Sequence, residues 1–184
     1  IGYVAGCQAQ GEKCLAFGVE AGRFTQGTSS VAIGVNAGRT SQGSSSVAIG
    51  SGAGGGTQGT NCVAIGSLAG STSQGTDSLA IGNFVGNTSQ GSSSVALGFR
   101  AGQADQGSSS VAIGVSAGCQ NQGAQALAFG FGAACNNQGE KGIAIGFYSG
   151  SNNQGANSIA MGRAAADTGQ GLNAVAIGRS AGSL

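Results

Sequence analysis

The sequence predicts an all-β chain wound as a parallel β-solenoid, a β-roll of about 11.5 coils with sixteen residues per coil. Three observations predict it. Gln-Gly recurs every sixteen residues from Gln10 to Gln170 with no insertion or deletion, and a fixed period of this kind is the signature of a repeat array. Each repeat carries a short alternating segment of the type Ser-Val-Ala-Ile, rich in the β-branched residues that suit a strand. Glycine supplies 39 of the 184 residues and falls every few positions, which no helix tolerates. The array is expected to fill residues 1–184 as one uncapped domain, an excerpt of a longer array or fibre.

Counting from each Gln as position 1, the consensus reads Q-G-x-x-S-V-A-I-G-x-x-A-G-x-x-x. The strand lies at positions 5 to 8. The glycines at positions 2, 9 and 13 are expected to supply the backbone freedom of the corners. Each coil stacks on the last at the inter-strand spacing of about 4.8 Å, so equivalent positions become columns along a rod of roughly 55 Å.

The columns sort by chemistry. Position 6 is Val, Leu or Ile, from Leu15 to Val175, and position 8 is Ile, Phe, Leu or Met. The residue between them is always Ala: Ala16, Ala32, Ala48, Ala64, Ala80, Ala96, Ala112, Ala128, Ala144, Ala160 and Ala176. Alternation places this Ala on the opposite face from its two neighbours, together with Ser or Thr at position 3 and mostly Ser at position 5. The expected arrangement puts Val and Ile inside the coil and the Ala column outside, as a flat candidate interface. The reverse, with Ala inside and Ile at an intersubunit contact, is the second reading.

The glutamines Gln10, Gln26, Gln42, Gln58, Gln74, Gln90, Gln106, Gln122, Gln138, Gln154 and Gln170 form an invariant amide column. The expectation is a structural ladder in which each side chain donates to the next coil; ligand contact and capping of the Gly corner are the alternatives. Position 10 carries Phe99, Val115, Phe131 and Phe147 in four consecutive coils, with Tyr148 beside the last. This stripe is a candidate surface patch, either for lateral interaction or for corner packing in an oligomer.

Composition excludes more than it identifies. There is no His, no Pro and no Trp, only 7% of residues are charged, and the net charge is +1. Such a chain lacks the basic surface for nucleic acid, and no apolar run is long enough for membrane insertion. No catalytic dyad stands out, so no enzyme activity, catalytic residue or cofactor is expected. Stacked like charges repel, which makes Arg23 over Arg39 and Arg163 over Arg179 exceptions; Glu12-Lys13 and Glu140-Lys141 read as solvated surface. The five cysteines Cys7, Cys14, Cys62, Cys119 and Cys135 fall at only two positions of the repeat, 14 and 5. Cys119 and Cys135 are vertical neighbours, within disulfide range, yet free thiols are the expectation. Without His or CxxC no metal site is expected.

The motif Ser46-Val47-Ala48-Ile49-Gly50, repeated at Ser110-Val111-Ala112-Ile113-Gly114 and followed each time by Ala-Gly, resembles the head repeats of trimeric autotransporter adhesins and related repeats in phage and giant-virus fibre proteins. The resemblance spans the whole chain, although adhesin-head repeats are usually shorter and lack the Gln-Gly corner. It implies a parallel β-roll, assembly with identical chains as a trimer or filament, and a structural or adhesive fibre on a cell or virion surface, outside the cell. Two other functions suit a solenoid. Ice binding would use the rows Thr28, Ser44, Thr60, Thr76, Ser92, Ser108 and Ser30, Ser46, Ser78, Ser94, Ser110 as a flat outward array. A functional amyloid would use the Asn-rich ends of the later coils, including Asn121, Asn136, Asn137, Asn152 and Asn153.

Overall fold

The computed structural model describes residues 1–183. Two parallel sheets run the length of the molecule, and no helix occurs among the described residues. The long sheet has 11 three-residue strands, from Leu15–Phe17 to Val175–Ile177, stacked in chain order. The second sheet has nine strands, from Thr25–Gln26 to Asn152–Gln154, extended by single bridges at Gln10 and Thr168. Every pairing joins residues sixteen apart, as in Val47 with Val63, Ala48 with Ala64 and Ile49 with Ile65. The expected β-solenoid is therefore the fold, and the unbroken period is its register.

The corners show why glycine is spaced as it is. At position 9 the backbone takes φ near +126°, as at Gly98, a conformation that glycine alone enters readily. A Cβ on Gly98 would lie 2.7 Å from the carbonyl oxygen of Gly114 in the next coil. Position 2 behaves differently from expectation. Gly91 has no positive φ, but a Cβ there would lie 2.5 Å from the backbone nitrogen of Ser108, so this glycine serves the close approach of coils. The left-handed turns at positions 4 and 11 are made mostly by other residues, among them Ser109 and Arg100, both at φ 56°.

The packing reverses the expected faces. The Ala column is interior: Ala32, Ala48, Ala64, Ala80, Ala96, Ala112, Ala128, Ala144 and Ala160 have no exposed surface, and the end members Ala16 and Ala176 are also buried. It faces a second column of small residues at position 12, such as Ala37, Ala101 and Ala117. The Val and Ile columns point outward. The reason is volume. A Cβ on Gly150 would come within 3.3 Å of Ala144 Cβ, so the two walls are close enough that the interior is filled by methyl groups, Ser and one extended Gln per coil, with Val85 and Cys62 the larger exceptions. Alternation separates the two faces of a strand, but the width of the coil decides which one is enclosed.

Candidate functional site

From Gln26 to Gln170 the glutamines are interior as well, and their main role is a brace across the coil, whereas Gln10 in the first coil is exposed. Gln42 Nε2 donates to Val31 O at 2.8 Å, Gln90 to Leu79 O at 2.8 Å and Gln106 to Val95 O at 2.9 Å. Each amide of the second sheet thus ties down a carbonyl of the long sheet eleven residues earlier. The expected amide-to-amide ladder is present at four rungs: Gln10 to Gln26 at 3.0 Å, Gln58 to Gln74 at 3.2 Å, and Gln122 to Gln138 to Gln154 at 3.1 Å each. Glycine at position 13 makes room for the amide head, since a Cβ on Gly102 would lie 2.6 Å from Gln106 Oε1.

Position 5 also turns inward. Ser110 Oγ donates to Gly107 O at 2.6 Å, and Ser30 Oγ reaches Gly43 O of the next coil at 2.7 Å. Cys62 takes the same place with its Sγ 2.8 Å from Gly75 O. One of the two rows expected to form a flat outward array, Ser30, Ser46, Ser78, Ser94 and Ser110, is therefore inside. Likewise the Ala column, expected as a candidate interface, is enclosed within its own chain and offers no contact surface.

What the outside presents is apolar. Position 6 and position 8 side chains stand side by side down the long sheet, half-buried by their rung neighbours and covered by nothing else. At Phe17, Leu97, Phe129 and Met161 the exposure reaches 37 to 51%. The stripe at position 10 lies at the surface as expected. Phe131 and Phe147 stack with centroids 5.3 Å apart, Tyr148 meets both edge-on, and Phe99 lies under the Arg100 guanidinium at 5.1 Å. The wider face beside this stripe follows the second reading of the sequence, with Ala inside and Ile outside, and not the expected one. The signal was available: position 8 accepts Ile, Phe, Leu and Met, while position 7 accepts only Ala.

The charged residues explain themselves locally. Arg23 and Arg39 tolerate their stacking because Glu20 holds both, at 3.0 Å and 2.8 Å, with Phe24 under the guanidinium of Arg23 at 4.7 Å. Glu140 and Lys141 form an exposed pair at 2.9 Å. Arg163 lies 5.9 Å from the centre of the Phe147 ring.

All five cysteines are free. Cys119 and Cys135 lie on successive rungs, and the chain beside them is laddered through Gln120 N to Cys135 O at 2.9 Å. The hydrogen bond Cys119 gives Cys135, reinforced by burial, pushes the Cys119 thiol up, and the same bond lowers Cys135 to about 7. Cys119 Sγ also lies 3.5 Å from Gln103 Oε1.

Among the described residues there is no pocket and no cluster of three metal-ligating side chains, and no helix is long and apolar enough to cross a membrane. The surface features available for function are thus the apolar face, the aromatic stripe continuous with it, and the thiol pair. No family model, curated protein or solved structure matches the chain.

Proposed function

We propose that this chain is a length of structural or adhesive fibre, a β-solenoid rod that assembles with identical chains through the outer face of its long sheet. The observation that carries the proposal is the uncovered strip of Val, Ile, Leu and Phe at positions 6 and 8. Eleven rungs about 4.8 Å apart make a strip roughly 50 Å long. At a width of about 10 Å it covers on the order of 500 Å², near the upper end of the patches that single soluble chains leave bare.

A second copy is the occupant that suits it. The strip repeats at every rung, so a partner with the same rung spacing can place a side chain against every gap. It carries no charge at positions 6 or 8 from Leu15 to Ile177, so two such faces meet without burying an unpaired ion. The aromatic stripe at one edge widens the face over the coils containing Phe99 to Tyr148. The resemblance of the Ser-Val-Ala-Ile-Gly motif to adhesin-head and viral-fibre repeats supports the same reading, and with it a place on a cell or virion surface.

Sedimentation equilibrium and electron microscopy test the proposal. The chain should sediment as a multiple of its 17.3 kDa mass and appear as rods. Replacing Ile49, Ile81 and Ile113, which lie on non-adjacent rungs, together with Asp should give a monomer that keeps its β circular dichroism. A native chain that is monomeric at micromolar concentration would overturn the proposal.

A further inference from the structure

The molecule offers few candidates away from the apolar face. Among the described residues there is no pocket, the ion pairs are structural, and the Asn ladders on the second sheet, such as Asn121 to Asn137 at 2.8 Å, are satisfied within themselves. The thiol pair is different, because its chemistry is used by nothing else in the fold.

We propose that Cys119 and Cys135 form a dithiol–disulfide site, oxidised by a low-molecular-weight disulfide of the glutathione class to a covalent bond between two adjacent coils. This inference stands apart from the assembly of the fibre and does not depend on it. Three features of the structure carry it. The two residues occupy the same position of successive repeats, and the neighbouring residues Gln120 and Asn136 are in-register partners. Rung spacing then sets their Cα atoms about 4.8 Å apart, inside the disulfide range of roughly 4.4–6.8 Å. The two also differ in access: Cys135 is half-buried, whereas Cys119 is only 7% exposed. Finally, the neighbouring thiol raises Cys119 and lowers Cys135, which leaves Cys135 the better thiolate near neutral pH.

The order of events follows from that asymmetry. The Cys135 thiolate attacks one sulfur of glutathione disulfide, the S–S bond breaks, and one glutathione leaves as a thiolate. Cys119 then gives up its proton and attacks the Cys135 sulfur of the mixed disulfide, releasing the second glutathione thiolate. The protein loses two electrons and two protons, and glutathione disulfide becomes two glutathione thiols. The product ties two coils of an array in which each coil otherwise holds only its neighbours, and fraying that enters from one end meets a covalent rung.

Trypsin makes the test clean. The peptide spanning residues 101–141 contains both thiols and no internal Lys or Arg, while Cys7, Cys14 and Cys62 each fall in other peptides. The folded chain is incubated with glutathione disulfide, quenched with acid, digested and weighed. The expected product is peptide 101–141 lighter by two hydrogen atoms and carrying no glutathione, with buried Cys62 unmodified. Cys119→Ser should trap a glutathione adduct on Cys135, and Cys135→Ser should leave Cys119 unreacted. Serine is native at this position in Ser71 and Ser151, and circular dichroism checks that the variants fold. A wild-type peptide 101–141 that keeps both thiols while Cys7 reacts would overturn the proposal, as would a stable glutathione adduct without ring closure. The wild-type masses decide the matter even where a variant misfolds.

Discussion

Exchanging the volumes of two neighbouring residues tests the inverted packing where it is most exposed to error. Ala144 has no accessible surface, and its Cβ sits against the bare backbone of Gly150. Ala144→Val adds two methyl groups to an enclosed site where a carbon on the facing Gly150 would already lie 3.3 Å away. Overpacking of a closed interior costs about 1–3 kcal/mol, and the facing wall here is backbone, so the upper part of that range is expected. Ile145 is adjacent in sequence but stands half-exposed on the outer face. Ile145→Thr keeps the β-branched shape and leaves its hydroxyl in water, so the folded single chain should lose less than about 1 kcal/mol. Guanidinium unfolding followed by circular dichroism reads both values. Runs at several chain concentrations separate the fold from the assembly, because only interface losses scale with concentration. A concentration-independent loss larger for Ile145→Thr than for Ala144→Val would refute the packing.

Three further outcomes follow. Gly98→Ala combines a φ of +126° with a Cβ 2.7 Å from Gly114 O, and it should lower the unfolding midpoint more than Gly→Ala at any position lacking both constraints. Gln106→Leu removes the 2.9 Å bond to Val95 O, and denaturant titration should register a loss of about 0.5–1.5 kcal/mol for that one hydrogen bond. Alkylation of Cys135 by iodoacetamide should rise with pH through a midpoint of about 7. The thiolate is the reactive form, so a lowered pKa brings reactivity to lower pH. Cys119→Ala, which leaves no side-chain donor beside Cys135, should move that midpoint upward.

The period, the strand at positions 6 to 8 and the parallel register were legible because they depend on spacing alone. Val47-Ala48-Ile49 reads as a strand whichever way it faces. The direction was not legible from hydrophobicity, because burying the largest apolar groups presumes an interior wide enough to take them. Here Gly-rich corners narrow the coil until Ala48 fits inside and Ile49 does not. The columns nevertheless carry a size rule. One that accepts Phe17, Ile33, Leu97 and Met161 is not enclosed, and one that never exceeds Ala is. The same rule accounts for Cys62 standing among serines, where a small side chain that can donate to a carbonyl is all the site requires. Left-handed residues such as Arg100 and Tyr148 were missed because their type does not favour that conformation. The repeat imposes it on whatever residue stands at position 11. For the candidate site, the aromatic stripe was found because its residues are unusual within their column, and the larger apolar face stood only as the second reading because its residues look like core.

Photocrosslinking tests the central claim most directly. A benzophenone amino acid replaces Ile113 on the outer face in one sample and Ser108, an exposed residue at position 3, in another. Irradiation of the assembled chain should give covalent multimers from position 113 and none from position 108. Multimers from position 108 with none from position 113 would contradict the account.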